Sequence, residues 1–312
     1  LINQNNAKAS SPPGSVSNRI LGLEVLAITS VEGNVNAELT FINACKLLEL
    51  TGYSNIEVGR GIIHTQKEIA DAAFIHGNDG LGNLAHTLSS PQKSYQQART
   101  SDEIIIEKLT QFPGEITIIA LAPLTNLAAV ETKSPGILNQ AKEIVIMGGA
   151  FNTAGNVTSE AEFNIAYNPE AADIVFNNSN NLVILPLDVT RSLIFTPEMA
   201  QDIFQLNSES PITQFILALA KAMTKTSLSY RETQGKVGFL VHDAVTLAYL
   251  FYPETLQFRR AYVDVELSGK WTKGKTIFDN RHQAKIAANA WVAIQVDAAN
   301  LLATLVEDLK KL

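Results

Sequence analysis

Three stretches restrict the fold of this chain more than any other feature. "EITIIALAP" (115–123), "EIVIMGGAF" (143–151) and "LVILPLDVT" (182–190) are apolar at consecutive positions, and each runs into Pro, Gly or Asp. A strand with one wet face alternates apolar and polar residues, whereas a strand apolar throughout has both faces covered. Segments with helical spacing lie between them. "AELTFINACKLLELT" (37–51) repeats apolar residues at helical intervals and stops before Gly52. "LTNLAAVETK" restarts after Pro123 with Thr125 or Asn126 as its cap, and "NPEAADIVFNNS" (168–179) places Pro169 at the first helical position. Residues 200–228 and 240–251 also read as helices, and "EVLAITS" (24–30) and "NIEVGRG" (55–61) as strands. This alternation predicts an α/β fold: a mainly parallel central sheet with helices on both faces, an open Rossmann-like sheet. Ligands bind such sheets beyond the carboxyl ends of the strands, so the residues following each strand are the candidates for a site.

Composition removes other classes. With 312 residues, of which 46% are hydrophobic, the chain can bury a full core. The net charge of -7 is spread along the sequence without a basic patch, which argues against nucleic acid as a partner. No apolar run reaches the ~18 residues of a membrane span, and the start lacks a basic-then-apolar signal pattern. Cys45 is the single cysteine, so neither an intrachain disulfide nor a cysteine zinc cluster is expected, and a reducing, cytoplasmic setting fits. The first residue is Leu1 rather than Met, which suggests an incomplete or processed start.

The strand at 143–147 is followed by "GGAFNTAGNVTSEAEFN". Glu162 and Asn164 flank Phe163 and would face the same way in an extended segment, where Asn156 could join them. Carboxylates and amides are the usual partners of sugar hydroxyls; on composition alone, a solvated loop of turn-forming Asn and Gly is the plainer reading. "GFLVHDAVTLAYL" (238–250) sets His242 and Asp243 inside an apolar run, although an unpaired buried charge is costly. For His242 taken alone, a hydrogen-bonded core histidine is the default. Asp188 is read as the brace of a strand end and Asp79 as a turn residue.

"IMGGAF…GNVTSEAEFNIAYNPEAADIVF", "VHDAVT", "EGNVNAE", "HGNDGLGN", "APLTNLA" and "VDVELSGKWTKGKTIFD" occur in an order and spacing that resemble the inosine/uridine-preferring nucleoside hydrolases, over about residues 21 to 310. The resemblance implies cleavage of the N-glycosidic bond of ribonucleosides to ribose and free base, in nucleoside salvage, with a bound calcium ion. It matches Asp243 to a calcium-ligating aspartate and Leu121 to the residue whose backbone carbonyl joins it. His242 matches the histidine that assists departure of the base. Asn156, Glu162 and Asn164 match residues that hold the ribose hydroxyls, with Met147 lining the sugar and Asn34 facing it. His76 and Tyr230 match residues of two mobile loops over the base, though Tyr230 also reads as a packing aromatic. A small-molecule ribonucleoside is then the partner, and a homodimer or homotetramer the assembly. The residue types suit the chemistry. Glycosidic cleavage passes through a cationic sugar that carboxylates and amides stabilise, and a histidine can assist the leaving base.

The sequence departs from the family at its start. The family's first strand ends in an aspartate-rich loop that supplies early calcium ligands and the general base. Here residues 1–22 read "LINQNNAKASSPPGSVSNRILG", and no aspartate precedes Asp71. Asn3 and Gln4 stand roughly where the first carboxylate is expected. Residues 1–20 are read as a degenerate or disordered segment, and 21–312 as a single α/β domain. The missing aspartates imply an incomplete calcium site and impaired hydrolysis. The alternative is a catalytically inactive ribose- or nucleoside-binding relative, or a structural subunit.

Overall fold

The computed structural model describes residues 2–3, 19–20, 23–65, 68–281 and 286–312. Its strands are β1 (Ile2–Asn3), β2 (Arg19–Ile20), β3 (Leu23–Val25), β4 (Ala27–Thr29), β5 (Glu57–Gly59), β6 (Ile116–Ala120) and β7 (Glu143–Met147). There follow β8 (Leu182–Leu185), β9 (Ile194–Phe195), β10 (Phe239–Leu240), β11 (Leu256–Val265), β12 (Thr276–Asp279) and β13 (Ala290–Val296). The main sheet has the order β12-β11-β13-β8-β7-β6-β1-β3-β2. Its centre, β6, β7, β8 and β13, is parallel, with antiparallel strands on both flanks. The register places Ala120 beside Ile146 and Met147 beside Leu185. Leu121, Gly148 and Pro186 therefore leave the parallel strands along one rim.

The apolar runs are explained by two covered faces. Ile144, Ile146, Leu182 and Ile184 join a core with Ile116, Ile118, Leu127, Val175 and Phe176, beneath helices Ser101–Gln111, Thr125–Lys133 and Pro169–Asn178. The alternate residues Val145, Val183 and Leu185 join Val245, Ala248, Leu301 and Leu302, from helices Ala244–Phe251 and Ala298–Leu309. Full burial of each such aliphatic side chain stabilises the fold by about 1.5–3 kcal/mol. Among the described residues no helix is long and apolar enough to cross a membrane.

Several local expectations change. The strand expected over 24–30 breaks at Leu26, because β3 pairs in the main sheet while β4 leaves it to pair with β5. The strand expected over 182–190 ends at Leu185, and Leu187–Thr190 form a helical turn. The helix expected over 200–228 is two, Pro197–Leu206 and Pro211–Tyr230, because Pro211 cannot continue the first. Thr125 and Asn126 are not caps: Leu124 precedes the first helical residue. The Thr125 hydroxyl accepts from Asn168, and the Asn126 amide joins Ser30 O to the Ile62 N–H.

Asn3 does not stand at the rim. β1 runs antiparallel to β6 with Asn3 opposite Ile116, so the chain travels away from the Leu121 end. Gln4, and most of the segment expected to be degenerate, lie outside the described residues.

Candidate active site

The residues expected on the sugar side gather where β6 and β7 end. Glu162 is 2% exposed and is the N-cap of the short helix Phe163–Ala166. Its Oε1 accepts from the Asn164 N–H at 2.9 Å, and its Oε2 accepts from Gly149 N–H at 3.0 Å and Ile165 N–H at 3.2 Å. The buried Asn164 amide donates to the Met147 carbonyl at 3.0 Å and leans towards the Leu121 carbonyl at 3.4 Å. One side chain thus joins the ends of neighbouring strands. Asn156 is exposed, and its Oδ1 accepts from the Phe163 N–H at 2.9 Å. A Cβ at Gly155 would lie 2.2 Å from the Ala161 carbonyl, so only glycine lets this loop fold back on itself. A Cβ at Gly33 would lie 3.0 Å from Pro123 Cδ and 3.6 Å from Phe163 Cε1. That close approach brings the loop after β4, with exposed Asn34, against the loop after β6.

His242 and Asp243 precede helix Ala244–Phe251. His242 Nδ1 lies 2.7 Å from the Thr190 hydroxyl. Burial, then Arg191 and His76 nearby, oppose its protonation and lower its pKa to about 4. His76 belongs to the turn Ala73–His76, and burial lowers its pKa too. Phe74, on the same turn, meets Tyr230 edge-on at 5.2 Å between ring centroids, so Tyr230 is tied to this side of the cleft through Phe74. The Asp79 carboxylate accepts from the N–H groups of Leu81, Asn83 and Ala85 and orders the loop beyond His76.

The turn Leu187–Thr190 was not anticipated as a connecting piece. The Asp188 carboxylate accepts from the Phe151 and Asn152 N–H groups at 2.9 and 2.8 Å, bracing the loop after β7. Arg191 donates to Thr153 Oγ1 at 2.9 Å and to the Gly155 carbonyl at 2.7 Å, while Thr190 meets His242. Thr190 and Arg191 were missed because "LDVT" reads locally as β-rich; the signal present was a polar set directly following an apolar strand.

Asp243 is exposed to water on one side, with protein packed closely around its carboxyl. That enclosure, with the Glu162 carboxylate nearby, raises its pKa to about 7. Burial raises Glu162 as well, against the pull of its three N–H donors. Calcium takes about six to eight oxygen ligands. The Asp243 carboxylate and the Leu121 carbonyl are two, and Glu162 already accepts three backbone N–H bonds, which leaves it about one acceptor site. Among the described residues no group of three or more His, Cys, Asp or Glu could hold a metal. The remaining residues contain no Asp or Glu. Among the described residues these donors do not complete a calcium cage.

Comparison with known proteins gives a consistent result. The model of the family described as inosine-uridine preferring nucleoside hydrolase matches residues 19–303. A relative from Oryza sativa subsp. japonica, "Probable uridine nucleosidase 1", is 35% identical over 90% of this chain and 87% of its own length. The "Inosine-uridine preferring nucleoside hydrolase" of Leishmania major is 31% identical over 93% of this chain and 90% of its own. Among solved structures, "Purine-Preferring Ribonucleoside Hydrolase from Gardnerella vaginalis" superposes with a TM-score of 0.84 at 26% identity, over 92% of this chain and 90% of that one.

Proposed function

We propose, since the chain belongs to the inosine-uridine preferring nucleoside hydrolase family, that this cleft hydrolyses the N-glycosidic bond of ribonucleosides. The C1′–N bond breaks with its electron pair passing to the base. Water oxygen bonds to C1′, and of the two water protons one stays on the new ribose hydroxyl and one leaves with the base. The sugar is cationic on the way, which favours an anionic, polar floor.

The observation that carries this reading is the buried Glu162 carboxylate at the strand rim, aimed by three N–H groups beside Asn164. The two oxygens of a carboxylate accept about four hydrogen bonds, so Glu162 retains capacity for a ribose hydroxyl. Asn164 has its N–H groups turned to carbonyls and keeps Oδ1 to accept from a hydroxyl. Asn156 has Oδ1 occupied and keeps its N–H groups to donate. Met147 and Asn34 complete the sugar side in this reading, and His242, His76 and Tyr230 the base side. Calcium is the ion associated with the family, to which Asp243 and the Leu121 carbonyl would be this chain's contribution; because that set falls short, no step is assigned to it. The substrate is a free ribonucleoside, the setting cytoplasmic nucleoside salvage, and the assembly a homodimer or homotetramer.

The test is a reducing-sugar assay of purified protein on inosine, adenosine, uridine and cytidine, with Asn164→Ala as control. Ribose release by the parent and not by the variant is expected. A folded parent that releases none from any of the four would reduce the cleft to a binding site.

A further inference from the structure

Thr190 Oγ1 lies 2.7 Å from His242 Nδ1, and Thr190 is fully buried in the turn after β8. A hydroxyl has one proton to donate. Thr110 and Thr132, on helices of this protein, give theirs to the carbonyl four residues back, at 2.7 Å in both cases. Thr190 makes no such bond, and among the described residues His242 Nδ1 is the acceptor its hydroxyl reaches. If Nδ1 carried the ring proton instead, it would donate to Thr190, and the hydroxyl proton would be buried without an acceptor. That arrangement is the disfavoured one.

We infer that Thr190 is a positioning residue whose hydroxyl holds neutral His242 in its Nε2–H tautomer, so that an N–H rather than a lone pair is offered to an acceptor atom of the nucleobase. Nε2 has no partner among the described residues and is the nitrogen left for a ligand. The inference deepens the hydrolase reading and rests on it for the ligand. As the C1′–N bond weakens, negative charge builds on the base, and an N–H donor strengthens its hold as that charge grows. This is stabilisation of the transition state above the ground state. The opposite tautomer would set lone pair against lone pair. The rest of the turn keeps the hydroxyl in place, since Asp188 and Arg191 anchor it to the sugar-side loop.

The test uses the full chain with 15N-labelled histidine, and compares the parent with Thr190→Val and Thr190→Ser. Two-bond nitrogen–proton correlations at pH 7.5 report the ring tautomer, with the His242 signals assigned by their loss in His242→Gln. The parent and Thr190→Ser should show the Nε2–H form, and Thr190→Val a mixture or the Nδ1–H form. In ribose release, Thr190→Val should lose about tenfold or more in kcat with KM little changed, and Thr190→Ser should recover most of it. An Nδ1–H ring in the parent would overturn the inference, as would an unchanged tautomer in Thr190→Val. If Thr190→Val does not fold, the parent and Thr190→Ser spectra still decide. Absence of ribose release from the parent would count against the hydrolase reading while leaving the tautomer result to judge Thr190 by itself.

Discussion

Replacing Asp243 with Asn should stabilise the protein above neutral pH. The Asp243 carboxyl is raised from 3.8 to about 7 by its enclosure in protein and by the Glu162 carboxylate. For an acid whose folded pKa is raised, the favourable contribution is complete below the unfolded value near 3.8 and is lost as pH rises through about 7. At about 1.4 kcal/mol per pH unit, the displacement sets an upper bound of about 4 kcal/mol. Because Asp243 is exposed to water, screening reduces the expected effect to about 1–2 kcal/mol. Asn keeps the shape and cannot ionise. Urea unfolding followed by circular dichroism, in chelator, should show Asp243→Asn about 1–2 kcal/mol more stable than the parent at pH 8. The gap should close towards pH 4. An Asn variant less stable than the parent at pH 8, or a gap that does not vary with pH, would refute the reasoning.

Three further outcomes are expected. His242 behaves in the opposite sense: its pKa is lowered from 6.5 to about 4, so its contribution is present above about 6.5 and is lost as pH falls towards 4. His242→Gln should flatten the acid side of the stability profile by up to about 3 kcal/mol, read from urea midpoints between pH 4 and 7. Glu162→Gln turns an amide N–H against backbone donors that now face carboxylate oxygens, and should cost about 1–3 kcal/mol in thermal or urea unfolding while weakening ribose binding. Gly155→Ala cannot keep the loop closed, with its Cβ 2.2 Å from the Ala161 carbonyl; ribose affinity in calorimetry should fall more than stability does, because the displaced loop carries Asn156.

The centre of the fold was legible because burial on two faces leaves a local signature. β8 is apolar throughout, β7 from Ile144 to Met147 and β6 at every position but Thr117, and the helix ending before Gly52 and the Pro169 start follow from backbone chemistry carried by single residues. What was not legible depends on partners distant in the chain. Nothing local to "EVLAITS" tells that Leu26 marks a change of sheet, since β4 finds β5 only after the helix Ala37–Leu50 has intervened. The reversed direction of Ile2–Asn3 is likewise set by pairing with β3 and β6 rather than by its own residues. The site divides in the same way. Glu162, Asn164, His242 and Asp243 are conspicuous as polar residues in apolar or Gly-rich surroundings. Thr190 and Arg191 become informative only when the fold brings His242 and the Thr153–Gly155 loop against one helical turn.

The central claim is that this rim is a hydrolytic nucleoside site, and product stoichiometry tests it most directly. Purified protein would be incubated with inosine and, separately, uridine in phosphate-free buffer, and free base and free ribose would be quantified from the same sample by chromatography. The two products are expected in equal amounts with at least one substrate, and neither product from Asn164→Ala. Intact nucleoside after prolonged incubation with a cooperatively folding parent, or free base without matching ribose, would contradict it.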